Sequence, residues 1–516
     1  MEDLKKRIIS FVTAAALILN LGVMTSYADP PQWPGDVGIV AGAGIVMDAD
    51  SGAVLFGQQI HIPYPPASIL KLLTALVVVE HCEMDEIVTF SHDAVYNLEA
   101  GAGNKLSLAE GDQISVEDCL HMMVLLSSNQ SANALAEHVA GSRDGFVEMM
   151  NEKARELGCS PDETHFANPS GLNDDGQYVS AYDMAVIARA AFANEDVLRI
   201  SSTKKYSVGP TINNPDGANI SMEHRIVMEE SRGSEYYCEG VMAGKTGYTS
   251  KAGNTLVTYA QRDGRRIISV ILKGSDKYQY YMDAKNIMNF GFSSFKNESI
   301  SQLEGFLQEQ EEFEFGGNVY PASRLRLEEA QVTVPAASRF SDTVRSLVTD
   351  MPADHPEAAV AMLVYTYNER KVGSAYIYDK EREAQLAAEQ ASREAEEALK
   401  AAAEAEAATA ISTESREEET SAPAEETGGE QEKGGILSAI SMTQNQILIV
   451  AAAAVFAVIT GLGIFLTARK RKKERIARQQ RRERRRQRLE EIGYKEEDFE
   501  EMMQRRRERS SGGRKR

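Results

Sequence analysis

Two uncharged apolar runs bracket the chain, at 8–24 and 447–467, and the hydrophobic period changes several times between them. Residues 43–56 alternate about Asp50-Ser51-Gly52, which predicts a hairpin. From 67 to 80 the apolar positions recur with helical spacing, and further helical stretches follow to about residue 194. A second hairpin is predicted from 255–260, the turn Arg262-Asp263-Gly264, and 266–272, with a covering helix at 281–289. Strands from both ends of this stretch, with helices between, predict one sheet carrying a packed helical cluster, an α+β arrangement. Beyond residue 300 the texture becomes short alternating runs, at 313–315, 332–334, 360–365 and 373–378. That predicts a small β-rich domain.

The rest of the chain has no core pattern. Residues 380–410 are Ala/Glu-rich, read as a solvated helical spacer, and 411–435 are Ser/Thr/Glu/Gly, read as a flexible linker. The 447–467 run has 21 residues without a charge, about 31 Å as a helix, matching a hydrocarbon core. Arg469, Lys470, Arg471, Lys472 and Lys473 follow directly, placing what comes after on the cytoplasmic side and everything before it outside. At the other end, Lys5-Lys6-Arg7, the short apolar run and Ser26-Tyr27-Ala28 read as a cleaved secretory signal. The expected division is a signal peptide at 1–28, a catalytic domain at 29–298 and the β-rich domain at 299–380. A stalk and linker at 381–446, a transmembrane helix at 447–467 and a basic cytoplasmic tail at 468–516 complete it.

Charge sharpens this division. The net charge is −21, yet residues 468–516 hold 21 Lys/Arg against 10 Asp/Glu, a local +11 that leaves −32 for the rest. An acidic body and a basic tail on opposite sides of a membrane fit that split. The tail is compatible with anionic lipid, and nucleic acid is not expected. The four cysteines, Cys82, Cys119, Cys159 and Cys238, show no metal-binding spacing and read as buried small hydrophobes. Neither a metal nor a cofactor is expected.

The chemistry concentrates in three short patterns. Ser68 and Lys71 are three apart where Pro65-Pro66-Ala67 ends and a helix begins, hence neighbours on one face. A serine hydroxyl needs a base, and a lysine serves if burial and a second cation lower its pKa. The pattern S-x-x-K alone is weak, because Ser201/Lys204, Ser202/Lys205 and Ser293/Lys296 also fit it. Ser127-Ser128-Asn129 and then Lys245-Thr246-Gly247 strengthen it. On a strand, Lys245 and Gly247 point to one face; the glycine leaves room for a peptide backbone, and the lysine supplies a cation for a carboxylate.

S-x-x-K, S-x-N and K-T-G in this order form the serine acyl-transfer set of penicillin-binding proteins and class A β-lactamases. With PPASILKLLTALVVVE, GLNDDGQYVSAYDMAVIARAA and KTGYTSKAGNTLV, residues 41–292 resemble the low-molecular-weight penicillin-binding proteins that are D-alanyl-D-alanine carboxypeptidases. The resemblance implies the penicillin-binding/β-lactamase-like transpeptidase fold. It implies Ser68 as nucleophile, Lys71 as base and Ser127 in proton shuttling. Asn129, Lys245, Thr246, Gly247 and Tyr248 would bind substrate, the N–H groups of Ser68 and Tyr248 forming the oxyanion hole. The substrate would be a peptidoglycan stem peptide ending in D-Ala-D-Ala, and β-lactams would inhibit. Two positions depart from the family pattern: His224 stands where many relatives have Asn, and Tyr280 where some have Arg. The competing readings are a β-lactamase, although no E-x-x-L-N stretch lies between Asn129 and Lys245, and a non-catalytic wall-binding protein of the same fold.

Overall fold

The computed structural model describes residues 31–393, apart from 36, 99–101, 275–277 and 352–354. The proposed signal at 1–28, most of the spacer and linker, the apolar run at 447–467 and the basic tail at 468–516 lie outside the described residues. Among the described residues, no helix is long and apolar enough to cross a membrane.

The central sheet has strands β1 (Ala43–Asp48), β2 (Val54–Gln58), β3 (Val241–Thr249), β4 (Gly253–Arg262) and β5 (Arg265–Gly274). Their order is β2-β1-β5-β4-β3, antiparallel throughout, so the chain's early hairpin pairs with its late strands. The first turn is fixed by Asp48, whose Oδ1 accepts the N–H groups of Asp50 and Ser51 at 3.1 and 3.0 Å, while Gly52 takes a left-handed φ of 73°.

Both faces of this sheet are covered, which explains the nearly continuous apolar run Ile267-Ile268-Ser269-Val270-Ile271-Leu272. Ile45, Met47, Ile268, Val270 and Leu272 pack on one side with the helical cluster. Val46, Ile267 and Ile271 pack on the other with Tyr281, Ala284, Ile287 and Met288 of the helix Gln279–Ser294. That helix extends beyond the expected 281–289 at both ends.

The cluster's centre is helix α1 (Lys71–Val79), buried at all nine positions. Its sequence KLLTALVVV has no polar stripe because no face meets water. Around it lie α2 (Val116–Leu125), α3 (Asn129–Ala140), α4 (Arg143–Glu156) and α5 (Ala181–Ala193). Ser115, Ser128, Ser142 and Ser180 cap the last four, each accepting a backbone N–H with its hydroxyl.

From Phe295 the chain builds a β-rich body around Phe313, Val332, Leu363, Tyr365 and Ile377. Four of its strands form one sheet in the order Leu325–Leu327, Arg370–Asp379, Ala359–Tyr367, Val344–Val348. It is tied to the first hairpin by Ser51 Oγ and Thr333 Oγ1 at 2.7 Å and by Asn297 Nδ2 donating to Asp48 Oδ1 at 3.3 Å. Trp33 fills the junction, 4.9 Å from the Phe295 ring and 6.0 Å from Tyr367. Residues 380–393 are helical and largely exposed.

The segment bearing K-T-G is a strand, as expected, and forms the edge of the sheet, β3. One local reading is revised. The helix at Ser68 opens as a 3-10 turn, Ala67–Leu70, before α1 begins at Lys71.

Candidate active site

Ser68 owes its position to a strained turn pinned from three sides. Pro66 is followed by Ala67 at φ 51°, a left-handed conformation costly for any residue with a Cβ. Thr255 Oγ1, on β4, donates to the Pro66 carbonyl at 2.8 Å. A Cβ added at Gly171 (φ 84°) would meet the Ala67 carbonyl oxygen at 2.1 Å, so the 168–172 loop lies directly on the turn. A Cβ at Gly247 would meet Thr255 Oγ1 at 2.3 Å and the Ser68 nitrogen at 2.8 Å. The glycine of K-T-G therefore makes room for the backbone of Ser68.

In a 3-10 turn, side chains three apart eclipse, and this sets Lys71 under Ser68. Lys71 Nζ lies 2.9 Å from Ser68 Oγ, 2.8 Å from Asn129 Oδ1 and in a short hydrogen bond with the Ser170 carbonyl. All three partners are uncharged. Burial, then Lys245 and Lys105, push the Lys71 pKa far below its ordinary value, with only Glu223 opposing. The amide oxygen and the carbonyl can only accept, so they claim two N–H bonds. In its neutral form Lys71 would have its lone pair left for the third direction, toward Ser68 Oγ, 2.9 Å away.

Ser127 is the second strained residue, with φ 62° between the end of α2 and the cap of α3. Its hydroxyl accepts from Lys245 Nζ at 3.0 Å, and Lys245 also donates to the Thr246 carbonyl at 2.9 Å. Lys245 is buried, and desolvation lowers its pKa to about 8, against the pull of Glu223. It thus faces Ser127 inside the site and does not stand open to a groove. Thr246 is half-buried and Tyr248 exposed beside it.

The structure thus brings together Ser68, Lys71, Ser127, Asn129 and the Lys245–Tyr248 segment. The other S-x-x-K matches make no such site: Lys204 pairs with Glu230 at 2.5 Å, Lys296 with Glu298 at 2.7 Å, and Lys205 is exposed.

Two contributors, the Ser170 carbonyl and the Lys105–Glu223 pair, were not singled out in the sequence. The Ser170 carbonyl has no side-chain signature. It is aimed by Asn168, whose Oδ1 accepts from Ser170 N at 3.3 Å and Gly171 N at 2.8 Å, and by Thr74 Oγ1 donating to the Pro169 carbonyl at 2.8 Å. Lys105 and Glu223 form an ion pair from distant loops, and Lys105 also donates to the Leu126 carbonyl next to Ser127. His224 is buried, its Nδ1 accepting from Val227 N and its Nε2 donating toward the Val257 carbonyl and Thr258 Oγ1, and desolvation lowers its pKa to about 3. It acts as a neutral wedge under Gly244. Tyr280 is buried against Tyr281, with ring centroids 4.2 Å apart, so its ring contributes to the core and supplies no cation.

A family model described as D-alanyl-D-alanine carboxypeptidase matches residues 28–276. The chain is 33% identical to the D-alanyl-D-alanine carboxypeptidase DacB2 of Mycobacterium tuberculosis, over 50% of this chain and 84% of that protein. It is 31% identical to DacD of Escherichia coli, over 58% of this chain and 74% of the relative. Among solved structures, penicillin binding protein 5 from Haemophilus influenzae superposes with a TM-score of 0.52 at 26% identity, covering 68% of this chain and 98% of that one.

Proposed function

The chain belongs to the D-alanyl-D-alanine carboxypeptidase family, and from that premise we propose which side chains carry the reaction and where it happens. The activity is removal of the terminal D-Ala from peptidoglycan stem peptides through an acyl-enzyme. The observation that carries the assignment of roles is Lys71: a buried amine 2.9 Å from a serine hydroxyl, with no carboxylate partner and a second lysine raising the local potential.

Neutral Lys71 takes the Ser68 proton as Oγ attacks the penultimate carbonyl, and the bond from Oγ to carbon forms. The developing oxyanion is held by the N–H groups of Ser68 and Tyr248. As the C–N bond breaks, the D-Ala nitrogen receives a proton by way of Ser127, whose hydroxyl Lys245 polarises. Asn129 and Thr246 hydrogen-bond the substrate, and the charge of Lys245 favours its terminal carboxylate. Water then cleaves the ester, with Lys71 again as base. A β-lactam follows the first half, and its tethered leaving group impedes the second. The lactamase alternative needs a glutamate poised on the ester, whereas Lys71 here meets the Ser170 carbonyl.

In this reading residues 29–298 are the catalytic domain, 299–380 the accessory β-rich domain and 381–446 the stalk and linker. The 1–28 segment directs export, 447–467 anchors the protein in the membrane, and the 468–516 tail stays inside, where anionic lipid is its partner. The test is incubation of the purified full chain with a diacyl-Lys-D-Ala-D-Ala peptide and quantification of free D-Ala, beside a penicillin-labelling time course. Release of one D-Ala per peptide and a long-lived label are expected. Rapid loss of the label, or no label at all, overturns the assignment in favour of a lactamase or a binding protein.

A further inference from the structure

Helices α1 and α3 meet at both of their ends. Each begins at the site, at Lys71 and Asn129, and those residues share a 2.8 Å hydrogen bond. Their far ends converge on Cys82, just past α1, on Glu86, and on His138 in the last turn of α3. One ligand atom from each of these three residues lies within 4.8 Å of the other two. His138 Nε2 is 2.9 Å from Glu86 Oε2. Cys82 is buried, whereas the His138 and Glu86 side chains are 18% and 25% exposed, so one side of the cluster reaches solvent.

A His–Glu pair with a thiol behind it is an ordinary surface contact. Four features favour a cation between them. The donor set of one thiol, one imidazole and one carboxylate suits a borderline-soft ion and not magnesium or calcium. Tetrahedral zinc, with bonds of about 2.0–2.3 Å, sets neighbouring donor atoms roughly 3.5 Å apart, so the observed spread closes by small side-chain rotations. The cluster also sits at the C-terminal ends of two helices, where the peptide dipoles present negative potential. Glu86 is already oriented, its Oε1 accepting the Glu83 N–H at 2.9 Å and its Oε2 turned toward His138.

We propose that Cys82, Glu86 and His138 bind one zinc ion, with water in the fourth position, and that the ion staples the far ends of the two helices that carry Lys71 and Asn129. Binding releases the Cys82 thiol proton to solvent and takes His138 in its neutral form. The nine residues of α1 put about 14 Å between the ends of that helix. The ion therefore acts on the scaffold and not on the reacting atoms, and the proposal does not depend on the assignment of catalytic roles.

The test uses the detergent-solubilised full chain, stripped of metal and titrated first with Co²⁺ and then with Zn²⁺. One equivalent of Co²⁺ should give a thiolate-to-cobalt charge-transfer band, displaced by zinc and absent in Cys82→Ser. Zinc affinity should fall by about 100-fold or more in Cys82→Ser and in His138→Gln, at or beyond the upper end seen for lost supporting contacts. Zinc should raise the melting temperature of the wild type and of neither variant. If Cys82→Ser does not fold, His138→Gln, at a half-buried position, decides alone, with penicillin labelling as its check of folding. Absence of the band, or unchanged zinc affinity and thermal response in His138→Gln, overturns the proposal.

Discussion

The active site and the β-rich body treat their cations in opposite ways. In the β-rich body three arginines meet carboxylates: Arg324 with Asp379 and Glu381, Arg326 with Glu383, Arg345 with Glu304 and Glu309. Hydrogen bonding to those acids raises each arginine's pKa, so its charge is secure. In the site, Lys71 and Lys245 bond only to neutral groups, and Glu223, the carboxylate whose field reaches both, is engaged by Lys105. Burial without a counter-ion lowers both pKa values. Pairing makes a cation structural, and withholding the partner makes it reactive.

The largest effect should follow from removing the nucleophile. Ser68→Ala should abolish covalent penicillin labelling and lower D-Ala release by on the order of 10⁶-fold, while Ser201→Ala and Ser293→Ala should label normally. Next comes the base. Lys71→Arg keeps the cation but cannot give up its proton, so acylation should fall by about 10⁴-fold, the upper range for a general base. A Lys71→Arg protein that still acylates would remove the contrast between the two regions.

Gly247→Ala tests the packing of the edge strand on the nucleophile. Its Cβ would meet Thr255 Oγ1 and the Ser68 nitrogen, so the turn must shift. Displacement of that order costs roughly 100-fold in acylation, measured as labelling rate at unchanged folding temperature.

Glu223→Gln sharpens the electrostatic side. Glu223 raises the pKa of Lys245, so its neutralisation should lower it further and move the alkaline limb of the acylation rate below its wild-type position near pH 8. The sign for stability is set by the same group. The folded-state pKa of Lys245, about 8, lies below its ordinary 10.5, so the unfolded chain holds the extra proton between those values. Stability should therefore rise with pH across that window. The smallest effect belongs to the paired cations: Arg326→Met should cost about 0.5 kcal/mol in denaturant unfolding and leave acylation unchanged.

How much of this was legible in the sequence depended on whether a feature was local. The spacing of Ser68 and Lys71 gave their contact, because residues three apart share a face in a 3-10 turn as in an α-helix. The turns Asp50-Ser51-Gly52 and Arg262-Asp263-Gly264, each between apolar strands at the two ends of the stretch, gave the sheet. Its burial on both faces was hidden, since a run such as Ile267-Ile268-Ser269-Val270 reads the same either way. That Lys245 and Gly247 lie on a strand was legible, whereas the place of that strand at the edge of the central sheet follows only from its pairing with β4. The Ser170 carbonyl, the Lys105–Glu223 pair and the grouping of Cys82, Glu86 and His138 have no one-dimensional signal; folding alone brings them together.

The most direct test of the account is the pH dependence of the second-order rate of penicillin acylation of the full chain. Neutral Lys71 as base beside charged Lys245 predicts a rising limb far below the ordinary lysine value of 10.5, followed by a fall centred near pH 8. A rate that climbs steadily to about pH 10, as an unperturbed lysine would give, or one that does not change with pH, would contradict it.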